Sequence, residues 1–469
     1  MSIIKAYVMP HPPLAVPAVG RGKEREIGKT LAALDEVAIE IAALKPETII
    51  FITPHNVMYA DYFHISPGKE SKYSSKPSAT GDLSRFGAPD VMFSVDYDAE
   101  LIDEISQIAH DNNFPAGTMG ERDASLDHAY TVPAWFINQR YTDYKAIRVC
   151  QSGMDATLHY KFGQIITAAV KSLGRKAVLV ASGDLSHKLT AEGPYGFAPE
   201  GKEFDSVVSR VLESGDFLAL LKISDSLREN AGECGYNSLT ILAGCFDRIN
   251  VDSKLLSYEG PFGVGYAVAG VEPLYPDLSR NIVERFIESS LMEIEMIRKA
   301  EDDYRALARR SLESVLMTGR VLSVPNDVPK ELKDRQAGVF VSLHKNGRLR
   351  GCIGTITPVV DSIAQEIINN AVSAGLNDSR FDSVAVSELP HLVYKVDVLA
   401  APESISSSDE LDVKKYGVIV SSGFKRGLLL PNLDGVNTVD EQISIAMQKA
   451  GISKSEKISL ERFEVTRYE

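Results

Sequence analysis

Residues 1–272 alternate between short apolar runs and longer segments with helical spacing, and this alternation restricts the fold more than any other feature of the chain. The apolar runs lie at 3–9, 48–53, 146–150, 176–182 and 264–271. The helical segments lie at 28–44, 99–111, 158–173, 202–213 and 236–247. Strands that alternate with helices favour a mostly parallel sheet with helices on both faces. We therefore predict an α/β first domain.

Residues 300–469 have a different pattern, in which short strands and turns dominate. The dipeptide Asn346-Gly347 separates two runs of strand-forming residues and predicts a β-hairpin with a type I′ turn. Further strands are expected at 393–399, 417–422 and 427–430, and a helix at 438–450. The pattern predicts a smaller α+β domain with antiparallel strands. The expected boundaries are 1–273 for the first domain, 274–299 for a helical linker and 300–469 for the second domain.

Two further segments stand out from the strand and helix patterns. The stretch 64–95 is rich in Ser, Gly, Pro and Lys without a helical period, and it predicts a long loop or an excursion at the edge of the sheet. Loops of that length inside a compact domain are usually functional or mobile. Residues 280–318 predict one or two long amphipathic helices, which are compatible with packing of domains or of subunits in a homo-oligomer.

Charge and motif content exclude several classes of function. The net charge of −14 argues against nucleic acid or an anionic membrane as the main partner. The chain contains no P-loop and no HExxH motif. The amino terminus lacks the pattern of a signal peptide, and no apolar run approaches 18 residues. The four cysteines show no CxxC spacing, so we expect a reducing, cytoplasmic location without disulfides.

Three histidines each follow one of the apolar runs. They are His11 in Met-Pro-His11-Pro-Pro, His55 in Thr-Pro-His55-Asn and His187 in Ser-Gly-Asp-Leu-Ser-His187. In an open α/β sheet, ligands bind outside the carboxyl ends of the strands. The three imidazoles are therefore expected at the edge where such folds carry out chemistry. We interpret His11 and His55, which are both flanked by proline, as joint ligands of one metal ion.

His187 and His128 are candidates for proton transfer. His187 lies in a glycine- and serine-containing turn after a buried strand, where it is either a hydrogen-bonded turn residue or a general acid and base. His128, in Leu-Asp-His128-Ala-Tyr, precedes an apolar segment and is either catalytic or part of a helix cap or loop.

Glu233 and Cys234 lie side by side just before an apolar helix. Glu233 is either a favourable charge at a helix amino terminus or the third metal ligand. Two histidines and one carboxylate form the facial triad of non-haem Fe(II) oxygenases. If the thiol of Cys234 faces the metal instead, the site is softer and favours copper or zinc. We expect Glu233 to be the ligand and keep Cys234 as the alternative.

Cys352 is a candidate site in the second domain. It lies in Leu-Arg350-Gly-Cys352-Ile-Gly, on a predicted strand. A buried, inert cysteine is the simplest interpretation. The alternative is a reactive thiol, whose pKa Arg350 lowers and whose access the neighbouring glycines open.

Residues 1–272 resemble the class III extradiol ring-cleavage dioxygenase superfamily, which includes protocatechuate-type catalytic subunits and Memo-like proteins. The matching motifs are Met-Pro-His11-Pro-Pro, Thr-Pro-His55-Asn, Leu-Asp-His128-Ala-Tyr-Thr-Val-Pro, Ser-Gly-Asp-Leu-Ser-His187 and Gly-Glu233-Cys-Gly. The resemblance implies that His11, His55 and Glu233 hold Fe(II). It also implies that His187 is the acid and base and that His128 contacts substrate or O2. Memo-like relatives have Cys-Gly where the dioxygenases have the carboxylate, which keeps Cys234 open as a ligand.

Residues 300–469 resemble the AMMECR-type domain. The motifs are Leu-Arg-Gly-Cys352-Ile-Gly-Thr, Asn377-Asp-Ser-Arg-Phe-Asp, Lys395-Val-Asp-Val-Leu-Ala-Ala-Pro-Glu and Arg426-Gly-Leu-Leu-Leu-Pro. The whole chain is similar to the fused Memo and AMMECR partners of the AmmeMemoRadiSam system, and this similarity implies a radical-SAM protein as a partner.

These observations lead to two functional hypotheses. The first is a cytoplasmic Fe(II)-dependent extradiol dioxygenase, whose partners are a small catechol-type aromatic and O2. The second is a metal-binding protein without dioxygenase activity, which serves as a scaffold or as a component of a modification system. In the second hypothesis the AMMECR-type domain recognises a partner.

Overall fold

The computed structural model of the protein describes residues 3–71, 74–433 and 435–469. The chain forms two compact units, Met1–Ile287 and Glu288–Glu469. The division between the units falls within helix 282–299, inside the segment expected to be a helical linker. Among the described residues, none of the helices combines the length and the apolar character needed to cross a membrane.

Strands and helices alternate along unit 1. Its strands are β1 (Ile3–Met9), β2 (Thr48–Thr53), β3 (Phe63–His64), β4 (Lys69–Ser71), β5 (Ser74–Leu83), β6 (Ala88–Asp96), β7 (Ala116–Gly117), β8 (Lys145–Cys150), β9 (Ala177–Ser182), β10 (Ile249–Glu259) and β11 (Tyr266–Pro276). Its helices are α1 (Pro17–Gly20), α2 (Gly28–Leu44), α3 (Ala99–Asp111), α4 (His128–Asn138), α5 (Ala156–Ser172), α6 (Pro199–Ser214), α7 (Phe217–Leu221), α8 (Asp225–Ala231) and α9 (Tyr236–Cys245), and α10 (Ile282–Lys299) begins in this unit.

The core of unit 1 is a six-stranded mixed sheet in the order β10-β11-β1-β9-β2-β8. The strands β1, β9, β2 and β8 pair in parallel. The strand β11 is antiparallel to β1, and β10 is antiparallel to β11. The first four apolar runs therefore form the parallel part of the sheet, whereas the run at 264–271 forms β11, which is antiparallel and pairs with β10 at one edge.

Both faces of the parallel strands are covered. Every residue of β2 and β9 is buried, and since successive side chains point to opposite faces, neither face meets solvent. The helices α5 and α9 approach each other closely, because a Cβ at Gly163 would lie 2.1 Å from the carbonyl oxygen of Ile241. A glycine is therefore needed where these two helices cross.

The segment predicted to be a long loop, 64–95, contains strands instead. The strands β4, β5 and β6 form a three-stranded antiparallel sheet, and residues 72 and 73 lie outside the described residues. In β5 and β6 the pairs Ala79–Val95 and Gly81–Phe93 are directly opposite each other. The loop prediction is wrong because polar residues alternate with the few buried ones, so the strands carry no apolar run.

Unit 2 consists of antiparallel sheets and helices. Its strands are β12 (Gly338–Lys345), β13 (Arg348–Gly354), β14 (Leu392–Leu399), β15 (Glu403–Ile405), β16 (Gly417–Ser422), β17 (Lys425–Leu429), β18 (Ser459–Phe463) and β19 (Val465–Tyr468). Its helices, besides the rest of α10, are α11 (Asp303–Thr318), α12 (Lys330–Asp334), α13 (Ile363–Leu376) and α14 (Val439–Ala450).

Two four-stranded sheets, β13-β12-β14-β19 and β15-β18-β16-β17, organise unit 2. The turn between β12 and β13 has positive φ at Asn346 (54°) and at Gly347 (78°), as a type I′ turn requires. The helices α11 and α13 share a core with β12, and α14 shares a core with β16 and β17. This architecture agrees with the expected α+β class.

Candidate metal centre

His11 lies two residues beyond β1, at the carboxyl edge of the sheet. Its side chain is 2% exposed, and its Nδ1 lies 3.0 Å from the Oγ of Ser182, the last residue of the neighbouring strand β9. The backbone N–H of His11 donates to the Asp184 carboxylate at 2.8 Å. In the tautomer that donates from Nδ1 to Ser182, the Nε2 of His11 presents a lone pair to the centre.

His55 follows β2 and meets His11 from the other side of β9. The Nε2 atoms of the two histidines are 3.1 Å apart, and the rings are nearly perpendicular. His55 is exposed to the adjoining cavity, whereas His11 is buried. Desolvation, followed by repulsion from His55, His128 and His187, holds the pKa of His11 well below its usual value. Desolvation also lowers the pKa of His55.

Cys234 is the third residue of this group. Its Sγ lies 3.7 Å from the Nε2 of His11 and accepts a hydrogen bond from the backbone N–H of Asp184 at 3.3 Å. The potential ligand atoms of His11, His55 and Cys234 all lie within 4.8 Å of one another. Burial raises the pKa of the Cys234 thiol, so a thiolate here needs a cation beside it.

Glu233 does not join the histidines, in contrast to the expectation that it is the third ligand. Its Oε1 accepts a hydrogen bond from Arg228 at 3.1 Å, and its Oε2 accepts one from the backbone N–H of Tyr236 at 2.7 Å. The carboxylate thus satisfies the amino-terminal turn of α9, which is the role of a helix-terminal charge. Each oxygen of Glu233 accepts one hydrogen bond, and the group of potential ligand atoms within 4.8 Å of one another contains Cys234 and not Glu233.

The residues of this group fit a metal ion. Zinc-type distances of about 2.0–2.1 Å to nitrogen and 2.3 Å to sulfur place the ligands of one ion roughly 3–4 Å apart. The separations of 3.1 Å and 3.7 Å from the Nε2 of His11 match this range. Two imidazole nitrogens at 3.1 Å also require a proton or a cation between their lone pairs.

Two glycines bring Cys234 to the end of β9. A Cβ at Gly183 would lie 2.3 Å from the Cα of Gly235, so the backbone after β9 and the backbone before α9 touch directly. Gln151 supports the same turn, since its Nε2 donates to the carbonyl oxygen of Cys234 at 2.9 Å. The position of the thiol is therefore set by backbone contacts.

His128 is the first residue of α4, and it lies against the ligand histidines. Its ring stacks on that of His55, with the centroids 4.6 Å apart and the planes 13° from parallel. Asp127 caps the helix by accepting hydrogen bonds from the backbone N–H groups of Ala129 and Tyr130. Desolvation, then repulsion from His55, lowers the pKa of His128 to about 4, so the ring is neutral near pH 7.

His187 lies in the turn after β9, and its Nε2 is buried without a hydrogen-bond partner among the described residues. Burial, followed by repulsion from His55, lowers the pKa of His187 to about 4. Its ring lies 5.1 Å from that of Tyr195. The electrostatic repulsion from His55 places His187 near this centre, although it is not part of the group within 4.8 Å.

Asp184 is a residue of the centre that the sequence analysis did not single out. Its carboxylate accepts from the backbone of His11, and its own backbone N–H donates to the Sγ of Cys234. Burial raises the pKa of Asp184 to about 7. The acidic residue in Ser182-Gly-Asp-Leu, directly after a buried strand, was the available signal.

A cavity of about 630 Å³ opens beside His55 and His128. The three-stranded sheet and the turn before α4 form much of its wall. Its lining residues are His55, Asn56, Val57, Thr80, Gly81, Asp82, Ser84, Arg85, Phe86, Met92, Asp123, Ser125, Leu126, Asp127 and His128. The volume is in the range of small-molecule sites, and the metal group lies at its edge.

The reactive-thiol hypothesis for Cys352 finds no support in unit 2. Cys352 is half-buried on β13, and burial raises the pKa of its thiol. Arg350, which was expected to lower that pKa, forms an ion pair with Glu388 at 2.9 Å. Among the cations, Arg380 lowers the pKa of Cys352 most, and Arg380 itself is paired with Asp378.

The fold and this group of residues define an α/β domain with a candidate metal site, followed by a second domain with antiparallel sheets. The family model of the catalytic LigB subunit of aromatic ring-opening dioxygenase matches residues 5–269, and the AMMECR1 family model matches residues 305–469. The chain therefore belongs to the LigB family of class III extradiol dioxygenase-like proteins and carries a carboxyl-terminal AMMECR1 domain.

One relative matches the whole chain, and others match about a third of it. A protein of Clostridium acetobutylicum is 42% identical over 485 residues, which cover 100% of this chain and 99% of that protein. A protein of Thermotoga maritima is 47% identical over 170 residues, covering 36% of this chain and 98% of its own length. A crystal structure of an uncharacterized protein from Pyrococcus horikoshii is 32% identical, with a TM-score of 0.33, and covers 35% of this chain and 88% of that one.

Proposed function

We propose that the protein is a metal-dependent extradiol dioxygenase that cleaves a catechol-type aromatic with O2. The observation that carries this proposal is the convergence of three ligand atoms within 4.8 Å at the edge of a 630 Å³ cavity that His128 also lines. Family membership supports a dioxygenase-like oxidoreductase. The substrate, the ring-cleaving activity and the identity of the metal belong to the proposal.

His11, His55 and Cys234 would hold the metal, with Fe(II) as the ion that this chemistry uses. A bound metal would supply Lewis acidity toward the two oxygens of a catecholate and a coordination position for O2. The buried thiol of Cys234 would bind as a thiolate, because coordination favours the deprotonated form. Asp184 would orient both His11 and Cys234 through the backbone contacts described above.

The remaining histidines would handle the protons of the substrate. Both His128 and His187 are neutral near pH 7, because burial holds their pKa values at about 4. A neutral imidazole accepts a proton from a phenolic hydroxyl, and it returns that proton when the ring opens. His187 is the stronger candidate for this role, since its buried Nε2 has no other partner among the described residues. His128, whose ring stacks on that of His55, would contact the substrate in the cavity.

The metal assignment is tested by paired variants. Cys234→Ser should lower metal affinity by more than the roughly 10–100-fold that loss of a hydrogen-bond partner of a ligand costs. Glu233→Gln is the matched control and should retain the metal, because a glutamine can still accept from the N–H of Tyr236. His11→Ala and His55→Ala should each abolish binding. Metal content after anaerobic purification is the measurement, and loss in Glu233→Gln with retention in Cys234→Ser would reverse the assignment.

Turnover is tested by oxygen uptake on a panel of catechols with the iron-loaded protein. His187→Ala should keep the metal and remove uptake, because the variant lacks the group that moves the phenolic proton. Bound iron without uptake on any catechol would contradict the dioxygenase proposal.

A second candidate function is metal binding without ring cleavage, and the position of Cys234 favours it. A carboxylate completes the facial triad of Fe(II) oxygenases, whereas a thiolate is a softer ligand that suits copper or zinc. In this case unit 1 would serve as a scaffold or as a component of a modification system, with a radical-SAM protein as a partner. Copper or zinc in the anaerobically purified protein, together with no oxygen uptake, would favour this candidate.

A further inference from the structure

A fully buried arginine, Arg148, lies in the middle of β8. Its guanidinium donates to the Oγ of Ser66 at 3.0 Å and to the carbonyl oxygen of Ser125. It also lies 3.8 Å from the Asp127 carboxylate and 4.0 Å from that of Glu121. A buried charge is unfavourable unless it is paired and hydrogen-bonded, so these contacts are what makes the position tolerable.

Two of the groups that Arg148 contacts form part of the cavity wall next to the metal group. Ser125 and Asp127 both line the cavity, and Asp127 caps the helix whose first residue is His128. Asp127 Oδ2 is buried and has no hydrogen-bond partner among the described residues, so the guanidinium is the cation that balances it. The path from Arg148 to His128 therefore consists of one carbonyl contact and one ion pair.

The proposed metal ligands lie on other segments of the chain than Ser125 and Asp127. His11 follows β1, His55 follows β2 and Cys234 precedes α9, whereas His128 is carried by α4. A change at Arg148 can therefore move His128 without removing a ligand. In the described part of the chain, the planar fork of Arg148 alone contacts both the Ser125 carbonyl and the Asp127 carboxylate.

We propose that Arg148 is a positioning residue: it fixes Ser125 and Asp127 and thereby keeps His128 stacked on His55 at the cavity. The proposal deepens the proposed function, since it assigns what holds the histidine that would contact the substrate. Lysine cannot reproduce the arrangement, because one ammonium group cannot contact Ser66, Ser125 and Asp127 in a fixed plane.

The first test is structural and does not depend on any activity. In a crystal structure of full-length Arg148→Met, the His128 ring should leave its stacked position on His55, while metal content stays at the wild-type level. In Arg148→Lys the His128 ring should be displaced partially. If the methionine variant does not fold, Asp127→Asn takes its place, and the His128 ring should again leave its stacked position. Arg140→Met, at an exposed ion pair beyond the other end of α4, is the matched control. An unmoved His128 ring in the folded Arg148 variant would overturn the proposal.

The second test is a titration of the iron-loaded protein with 4-nitrocatechol in the absence of oxygen. Visible absorbance of the catechol measures the binding. His128→Ala and Arg148→Met should each weaken binding about tenfold, and the double variant should be no weaker than the single ones. A hundredfold, additive loss would mean that Arg148 acts by a route other than His128 and would overturn the proposal. If the wild-type protein binds no 4-nitrocatechol, the catechol-cleaving function fails, and the crystal structure alone decides the role of Arg148.

Discussion

At the scale of single residues, burial lowers the pKa of several histidines in unit 1 and favours their neutral form. His159, which is fully buried in α5 and not part of the metal group, shows this most simply. Its Nε2 accepts from the backbone N–H of Ser152, and its Nδ1 lies 3.0 Å from the carbonyl oxygen of Asp155. Desolvation lowers the pKa of His159 to about 4. A neutral imidazole makes both hydrogen bonds. Protonation of His159 therefore destabilises the folded state.

The sign of the resulting pH dependence follows from the two pKa values. An unfolded histidine titrates near pH 6.5, so between pH 6.5 and 4 the unfolded chain binds more protons than the folded one. Stability is therefore lost as the pH falls through this range, by roughly 2–3 kcal/mol at pH 4.5 for His159. His159→Gln should show a correspondingly smaller loss between pH 7.5 and 4.5. Urea unfolding followed by the fluorescence of Trp135 measures it, and an unchanged loss would refute the assignment.

The choice between Glu233 and Cys234 also belongs to the residue scale, and it shows where the sequence is insufficient. The motif and the strand ends predict that one of the two meets His11. Adjacent residues in a turn point in different directions, and their directions depend on distant partners. Arg228 and the N–H of Tyr236 hold the carboxylate of Glu233, which leaves the thiol facing the histidine. A pattern of residue types does not contain these contacts.

At the scale of elements, the contact between the end of β9 and the start of α9 controls the site. The two backbones touch at Gly183 and Gly235, with no room for a side chain. Any displacement there moves Cys234 relative to His11, because Cys234 lies directly before Gly235.

Gly183→Ala should therefore lower both stability and metal affinity. The added Cβ would lie 2.3 Å from the Cα of Gly235, a backbone atom that can only yield by a shift of the whole turn. Gly28→Ala is the matched control, because a Cβ at that exposed helix start meets no atom within 4 Å. Metal titration and thermal unfolding of the two variants measure the effect. Equal metal affinity in both variants would show that the turn does not position the thiol.

The elements themselves differ in how far sequence predicts them. The buried parallel strands are mostly apolar, so their apolar runs predict them. The strand β10 and the three-stranded sheet were not predicted, because many of their residues are polar and few are buried. Met92 of this sheet, and Arg85 and Phe86 in the turn between β5 and β6, line the cavity. The positions of His11 and His55 could thus be anticipated from strand ends, while most of the cavity wall could not.

At the scale of the whole molecule, the two units have separate hydrophobic cores. One core lies within residues 3–283, and the others lie within residues 304–463. The Thermotoga maritima relative matches 36% of this chain over 98% of its own length. A protein of about that length therefore exists without the rest of this chain. Units with their own cores are expected to unfold as separate cooperative steps.

Metal binding should therefore stabilise one unfolding step and leave the other unchanged. A ligand that binds only the folded state stabilises it by about 2.7 kcal/mol at a free concentration of 100 times its Kd, and all three ligand residues lie in unit 1. Trp135, the single tryptophan, lies in α4 of the same unit. Calorimetry of the loaded and chelator-treated protein should show that only the transition seen by tryptophan fluorescence moves. An equal shift of both transitions would mean that the units unfold together, and a shift of the other transition alone would place the metal outside the group of His11, His55 and Cys234.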